Sequence, residues 1–297
     1  MMTVLLTGAS GFVGSAVWRS LRQRGKSVRP VFRHKTSFRQ SDVSEDAAVL
    51  QTSFDASTDW RTAVADIDAV VHCAARVHVM HDTAADPLTE FRNPNTYGTI
   101  NLARQAAKAG VRRFVLVSSI KVNGESTVPG QPFTAEQAPA PLDPYGISKW
   151  EDEQDLRALS AETCMEVVII RPVLVYGPGV KANFLNMMKW LNKGVPLPLG
   201  AIHNKRSLVA LDNLVDLIVT CIDHPQAANQ TFLVSDGEDL STTELLQRMS
   251  RALGKRSRLL PVPAWMLETA AKVLGKESVA QRLCGSLQVD IEHTRER

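Results

Sequence analysis

Up to about Gly177 the chain alternates between two textures. The runs Val4–Thr7, Val28–Phe32, Val49–Phe54, Ala69–Cys73, Phe114–Ser118 and Val167–Arg171 are short, aliphatic and carry little polar alternation. Such runs suit strands buried on both faces. Between them lie helical patterns, among them Phe12–Arg24, Thr96–Ala109 and Pro144–Ala161. Strand–helix alternation predicts an α/β fold with a doubly wound parallel sheet. Beyond Gly177, Pro and Gly become frequent (Pro178, Gly179, Gly194, Pro196, Pro198, Gly200) and helices separate short strands. A large domain over 1–178 and a smaller lobe over 179–297 follow as the expected organisation.

Composition changes this picture little and excludes much. The chain has 297 residues, 44% of them hydrophobic and 22% charged, which suits a globular fold with a full core. A formal charge of +3 is too weak to argue for nucleic acid, and no basic stripe interleaves with aromatics. The densest basic stretch is Arg29 to Arg39. Cys73, Cys164, Cys221 and Cys284 are far apart with no CxxC spacing, so free buried thiols are expected and neither a metal site nor a disulfide framework. No signal peptide or membrane-spanning run is visible, which predicts a cytoplasmic protein. The closing Ile291–Arg297 stops within a helical pattern, so the chain reads as truncated at that end.

The first strand runs straight into Gly8-Ala9-Ser10-Gly11-Phe12-Val13-Gly14, which also opens the first helix. Small residues let backbone approach a pyrophosphate, and a helix N-terminus offers free N–H groups. A strand, glycine turn and helix in this order predict a Rossmann-like dinucleotide site over Gly8 to Gly14. An acid at the end of the second strand would favour NAD. None stands there; Arg33 does, and a cation suits a 2′-phosphate, so NADP(H) is expected over NAD(H). Asp55 after the third strand reads as an acceptor for the adenine amino group or as a helix N-cap. Ala74 and Ala75 leave room for cofactor past the fourth strand, and His72 reads as a packed strand-end residue.

The segment Pro141–Lys149 carries the reactive groups. Asp143 suits an N-cap and Pro144 the first helical position. Tyr145 and Lys149 then lie four residues apart on one helix face. A phenol ionises near pH 10 and is a poor base at neutrality. A neighbouring ammonium and a helix N-terminus favour phenolate, which makes Tyr145 usable as acid or base. Lys149 can also bond the nicotinamide ribose. Ser118 and Ser119 end the fifth strand, where ligands sit in open α/β sheets. Ser119 reads as the group that aligns a substrate hydroxyl or carbonyl, or as a strand-end cap. Asp152, Glu153 and Asp155 read as a solvated helix face; Met187, Met188, Trp190, Trp265 and Met266 read as packing.

These pieces resemble an extended short-chain dehydrogenase/reductase of the nucleotide-sugar epimerase, dehydratase and 4-keto reductase branch. The resemblance is carried by Gly8–Gly14, Asp55, His72–Ala75, Asn95–Thr99, Ser118–Gly124, Tyr145 with Lys149, and Arg171–Pro178. It implies catalytic Ser119, Tyr145 and Lys149, with Pro172 beside the cofactor. The lobe resembles a sugar-nucleotide half. There Asn183 and Arg206 would hold a diphosphate, and Pro196–Gly200 would lie beside the uracil. A homodimer through Thr96–Ala109 and Pro144–Ala161 is also implied. Asn123 stands where the family usually has Tyr, and Ile120 and Lys121 where dehydratases have an acid pair, which argues against dehydration.

The expected function is hydride transfer at C4 of a UDP-sugar in bacterial surface-polysaccharide synthesis. The leading expectation is 4-keto reduction of a UDP-4-keto-6-deoxy-N-acetylhexosamine, because Arg33 points to NADPH. The alternative is a UDP-hexose 4-epimerase acting on UDP-glucose or UDP-N-acetylglucosamine. A non-catalytic dinucleotide-binding regulator and a reductase of apolar ketones are the other readings, the first opposed by Tyr145 and Lys149, the second by Asn183 and Arg206.

Overall fold

The computed structural model describes residues 2–34, 49–51, 53–77 and 86–297. The part of the basic stretch from Lys35 to Arg39 lies outside the described residues, as do the side chains of Leu50, Ala182 and Asn183.

Strands β1 (Thr3–Thr7), β2 (Ser27–Phe32), β4 (Ala69–His72), β5 (Arg113–Val117) and β6 (Glu166–Pro172) follow the predicted runs, while β3 (Val49–Leu50) takes up only the start of the run expected over Val49–Phe54. Among the described residues the main sheet has seven strands, all parallel, in the order β3-β2-β1-β4-β5-β6 with Thr231–Val234 at the far edge. Period-two geometry explains why so little polar alternation appears. Val4, Leu6, Val71, Val115, Val168 and Ile170 enter one core cluster. Leu5, Val70, Phe114, Leu116, Val167 and Ile169 enter another on the opposite face. Both faces are covered, so every second position must be apolar as well as the first.

The helices are α1 (Phe12–Gln23), α2 (Arg61–Val64), α3 (Pro87–Arg92), α4 (Thr99–Lys108), α5 (Pro144–Glu162), α6 (Ala182–Asn192), α7 (Leu211–Thr220), α8 (Thr242–Ala252), α9 (Ala264–Val273), α10 (Glu277–Cys284) and α11 (Glu292–Glu296). A π-helical turn, Asn93–Gly98, joins α3 to α4, so the predicted helix from Thr96 starts in a widened turn. The remaining strands are β7 (Leu174–Tyr176), β8 (Arg206–Ala210), β9 (Thr231–Val234) and β10 (Asp239–Leu240). The strands β10-β8-β7 form a second, small sheet.

The lobe has its own core, built on Phe184, Met187, Leu191, Leu197, Leu199, Ile202, Leu246 and Met249. Chain beyond residue 178 also returns to the first layer: α7 packs on α1, and β9 extends the main sheet beside β6. Trp265 and Met266 do not pack as expected. They are exposed on α9, whose inward positions are Ala264 and Leu267. Trp190 is likewise exposed, while Met187 is buried. Of the four free thiols Cys221 is buried and Cys164 exposed.

Candidate active site

The glycine loop fits its expected task by exclusion of side-chain atoms. Gly8 has φ +70°, and a Cβ there would sit 2.7 Å from the Ala74 backbone nitrogen. A Cβ on Gly14 would approach the Gly8 carbonyl oxygen to 2.1 Å. Gly11 N–H donates to Gly8 O at 2.8 Å, and α1 begins after Gly11 with no side-chain cap. Its first-turn amides therefore stay available to an anion. Ser10 is exposed beside them, and Phe12 and Val13 pack on the core cluster beneath. Ala74 and Ala75 follow Cys73 just past the end of β4, and Pro172 closes β6. A tight backbone cradle with uncapped amides at the carboxyl edge of the sheet is a fit for a dinucleotide diphosphate.

Arg33 lies exposed just past β2. The Asp55 carboxylate is engaged in its own turn, accepting from Ser57 N at 2.8 Å and Ser57 Oγ at 2.7 Å. These bonds hold its pKa below the usual carboxylate range.

Asp143 caps α5 through Gly146 N at 2.7 Å, and Pro144 opens the helix, which sets Tyr145 in the first turn. The Ser119 hydroxyl lies on the side of the phenol where it favours the charged form. Burial pushes the Tyr145 pKa up, while the charge of Lys149, the Ser119 hydroxyl and Lys121 pull it down. Phe91 packs against the ring at a centroid distance of 6.0 Å. Ser118 is not equivalent to Ser119: its hydroxyl donates to Glu153 Oε1 at 2.6 Å in the interior.

The expected solvated face of α5 is corrected by the structure. Asp152 and Glu153 are 1% and 0% exposed; of the three acids only Asp155 is exposed. Asp152 Oδ2 accepts from Lys149 Nζ at 2.6 Å. Glu153 accepts from Arg171 Nε at 2.9 Å and Nη2 at 2.5 Å, and Arg171 Nη1 donates to Asn123 Oδ1 at 2.9 Å. Asn123, at the family's usual tyrosine position, thus holds the buried arginine. The reason for the burial is periodic. Lys149, Asp152, Leu156 and Leu159 continue one stripe at helical spacing, so the two leucines and the charged pair share a face. That spacing was the signal available in the sequence; polarity concealed it.

Two further groups were missed. Lys121 donates to Asp143 and, at 2.9 Å, to Glu125. Arg171 anchors the network from β6. His72 is buried as expected, bonded to Thr7 Oγ1 at 2.7 Å and Thr99 Oγ1 at 3.0 Å. Burial, then the charge of Lys149, holds its pKa well below the ordinary value, so the ring stays neutral. In the lobe, Arg206 donates through Nη1 to the carbonyls of Arg282 at 3.0 Å and Gly285 at 3.2 Å. Part of that guanidinium is therefore engaged by the end of α10.

A glycine cradle, a strand-end serine and a Tyr–Lys pair on one helix define an enzyme of the short-chain dehydrogenase/reductase type. The family described as the NAD dependent epimerase/dehydratase family matches residues 4–235, and the chain belongs to it. The chain is 51% identical over 296 residues to a UDP-glucose 4-epimerase of Vibrio cholerae, covering 99% of this chain and 89% of the relative. It is 27% identical over 313 residues to the N-acetyl-alpha-D-glucosaminyl-diphospho-ditrans,octacis-undecaprenol 4-epimerase of Escherichia coli O157:H7, covering 97% and 87%. A UDP-glucuronic acid 4-epimerase from Bacillus cereus in complex with NAD shares the fold at TM-score 0.77 and 18% identity, over 99% of this chain and 92% of that one. Nothing in these likenesses supports the expected preference for NADP(H). Among the described residues no helix is long and apolar enough to cross a membrane.

Proposed function

We propose that the chain is an NAD-dependent 4-epimerase of UDP-hexoses. The observation that carries this reading is the 51% identity, over 99% of the chain, to a protein named as a UDP-glucose 4-epimerase. The 4-keto reductase expectation rested on Arg33, an exposed residue, and both named relatives are 4-epimerases.

The amides around Gly8–Gly14 would hold the diphosphate of NAD, and Lys149 would bond its nicotinamide ribose. Bound NAD supplies a two-electron acceptor that returns what it takes. Tyr145 would remove the proton of the sugar C4 hydroxyl and give it back to the same oxygen after the hexose has turned its other face. Ser119 would orient that oxygen, and Lys149 favours the phenolate by its charge. Arg206 and Asn183 remain the proposed diphosphate-holding residues of the lobe, and a second copy across α4 and α5 the proposed partner.

The test uses UDP-glucose and UDP-N-acetylglucosamine with no added reductant. Interconversion with the C4 epimer, at constant absorbance of reduced nicotinamide, is expected. Stoichiometric loss of NADPH on UDP-4-keto-6-deoxy-N-acetylglucosamine, with no epimerisation of either sugar, would overturn the reading.

A further inference from the structure

The buried pair Lys149–Asp152 is not needed to make a helix and is costly to bury. Two charges at 1% and 0% side-chain exposure lose their hydration, and their attraction repays this only in good geometry. Asp152 Oδ2 meets Lys149 at 2.6 Å, yet Oδ1 has no partner of good geometry among the described residues. The Thr99 hydroxyl faces the same carboxylate and bonds His72 Nε2, whose other nitrogen bonds Thr7 at the end of β1. Thr7 Oγ1 in turn accepts from Ala74 N at 3.3 Å. One line of buried polar groups thus runs from Tyr145's neighbour on α5 to the strand that launches the glycine loop.

We propose that Asp152 is a positioning residue for the acid–base tyrosine: it fixes the Lys149 ammonium beside Tyr145 and offsets part of that ammonium's charge. The inference rests on Tyr145 as the proton-transfer group of the proposed reaction. Its sign follows from the geometry. The ammonium favours phenolate; a carboxylate 2.6 Å from the ammonium opposes that effect. Consistently, the charge of Asp152 raises the Tyr145 pKa while that of Lys149 lowers it. Burial lifts Asp152 itself to about 7, against the charge and bond of Lys149. The offset therefore changes within the neutral range.

Other charges face this cluster from each packed element. Glu153 on α5 is bound by Arg171 of β6. Cys73 and His72 stand at the end of β4; burial pushes the Cys73 thiol up to about 12, so neither carries charge at neutrality. Lys121, after β5, acts on Tyr145 in the same sense as Lys149 and is itself paired with Asp143 and Glu125. The remaining carboxylate that contacts the Lys149 ammonium is Asp152.

The experiment titrates the free chain by phenolate absorbance, with Tyr145→Phe subtracted to isolate one of the three tyrosines. Asp152→Asn keeps the shape and an oxygen for Lys149 but removes the charge. Its Tyr145 midpoint is expected to fall by about one pH unit or more. The acid limb of the kcat profile should move the same way, with KM for the sugar nucleotide unchanged. Asp152→Ala, which also frees the ammonium, should lower kcat where Asp152→Asn retains it. Thr99→Val, which removes a hydroxyl that favours charged Asp152, should lower the midpoint less; it decides the matter if the asparagine variant does not fold. Unmoved midpoints and kcat profiles in the folded variants would overturn the role of Asp152. Normal turnover by Tyr145→Phe would instead sink the reaction assigned above.

Discussion

The glycine loop and the inner face of α5 stand at the same carboxyl edge of the sheet and are built by opposite means. The loop holds its shape by what is missing: at Gly8 and Gly14 any added carbon would meet backbone within 3 Å. The α5 face holds its shape by what is present: Lys149, Asp152, Glu153 and Arg171, two charges of each sign, each no more than 1% exposed. A steric site fails when volume is added. A balanced ionic site fails when one member is taken away, because the partner is left charged in the interior. The contrast predicts which substitutions each region tolerates.

The largest effect belongs to the one group assigned to proton transfer. Tyr145→Phe should lower turnover by about 10²- to 10⁴-fold, with NAD binding and melting temperature retained. Since burial lifts the Tyr145 pKa, the base form gains as pH rises, and wild-type turnover should climb from neutral to alkaline pH. A profile that falls over that range contradicts the assignment.

Next comes the ionic side of the comparison. Glu153→Ala leaves Arg171 unpaired inside the sheet and should cost about 3–5 kcal/mol in denaturant titration. A loss under about 1 kcal/mol would mean that the network is not what holds this face.

Smaller in stability, and specific to the cofactor, is Gly14→Ala. Overpacking of this kind costs about 1–3 kcal/mol, and calorimetry should register weakened NAD binding. Gly25→Ala is the control. Gly25 has φ +68° but faces open space, so it should lose some stability and no NAD affinity. Equal NAD losses at both glycines would erase the steric argument.

The smallest effect sharpens the contrast from outside. Arg248 and Glu238 form a bidentate pair on the surface, with side chains 51% and 61% exposed. Solvent screens such a pair. Arg248→Ala should leave the melting temperature where it is; a drop comparable to that of Glu153→Ala would show that exposure is not the deciding variable.

How much could be read in advance follows the same division. The loop was legible because its cause is local: a strand, glycines at fixed spacing, a helix start. Tyr145 and Lys149 were legible for the same reason, being one turn apart behind a capping Asp143 and Pro144. Glu153 was misread as solvated because its partners arrive from elsewhere: Arg171 lies 18 residues on, and Ser118 lies 35 residues back. Asp152 has its partner one turn back on the same helix, Lys149, and was misread because its charge outweighed its position on the buried stripe. Polarity gave the wrong face, and the spacing to Leu156 and Leu159 gave the right one. Trp265 and Met266 failed in the reverse direction, since large apolar side chains do not by themselves secure a neighbour. The NADP(H) expectation found no support for a related reason: one cation near a strand end was given the weight of a built phosphate site.

The path of the backbone between the two sheets has a mechanical outcome. It passes from β6 to β7, back from β8 to α7, out again from β9 to β10, and back after α10 to α11, which packs on β9. A body stitched at four places cannot swivel on a single flexible tether. Any closing of the smaller half over the larger has to bend all four connections together, and a protease cut at one stitch leaves the halves joined by the other three.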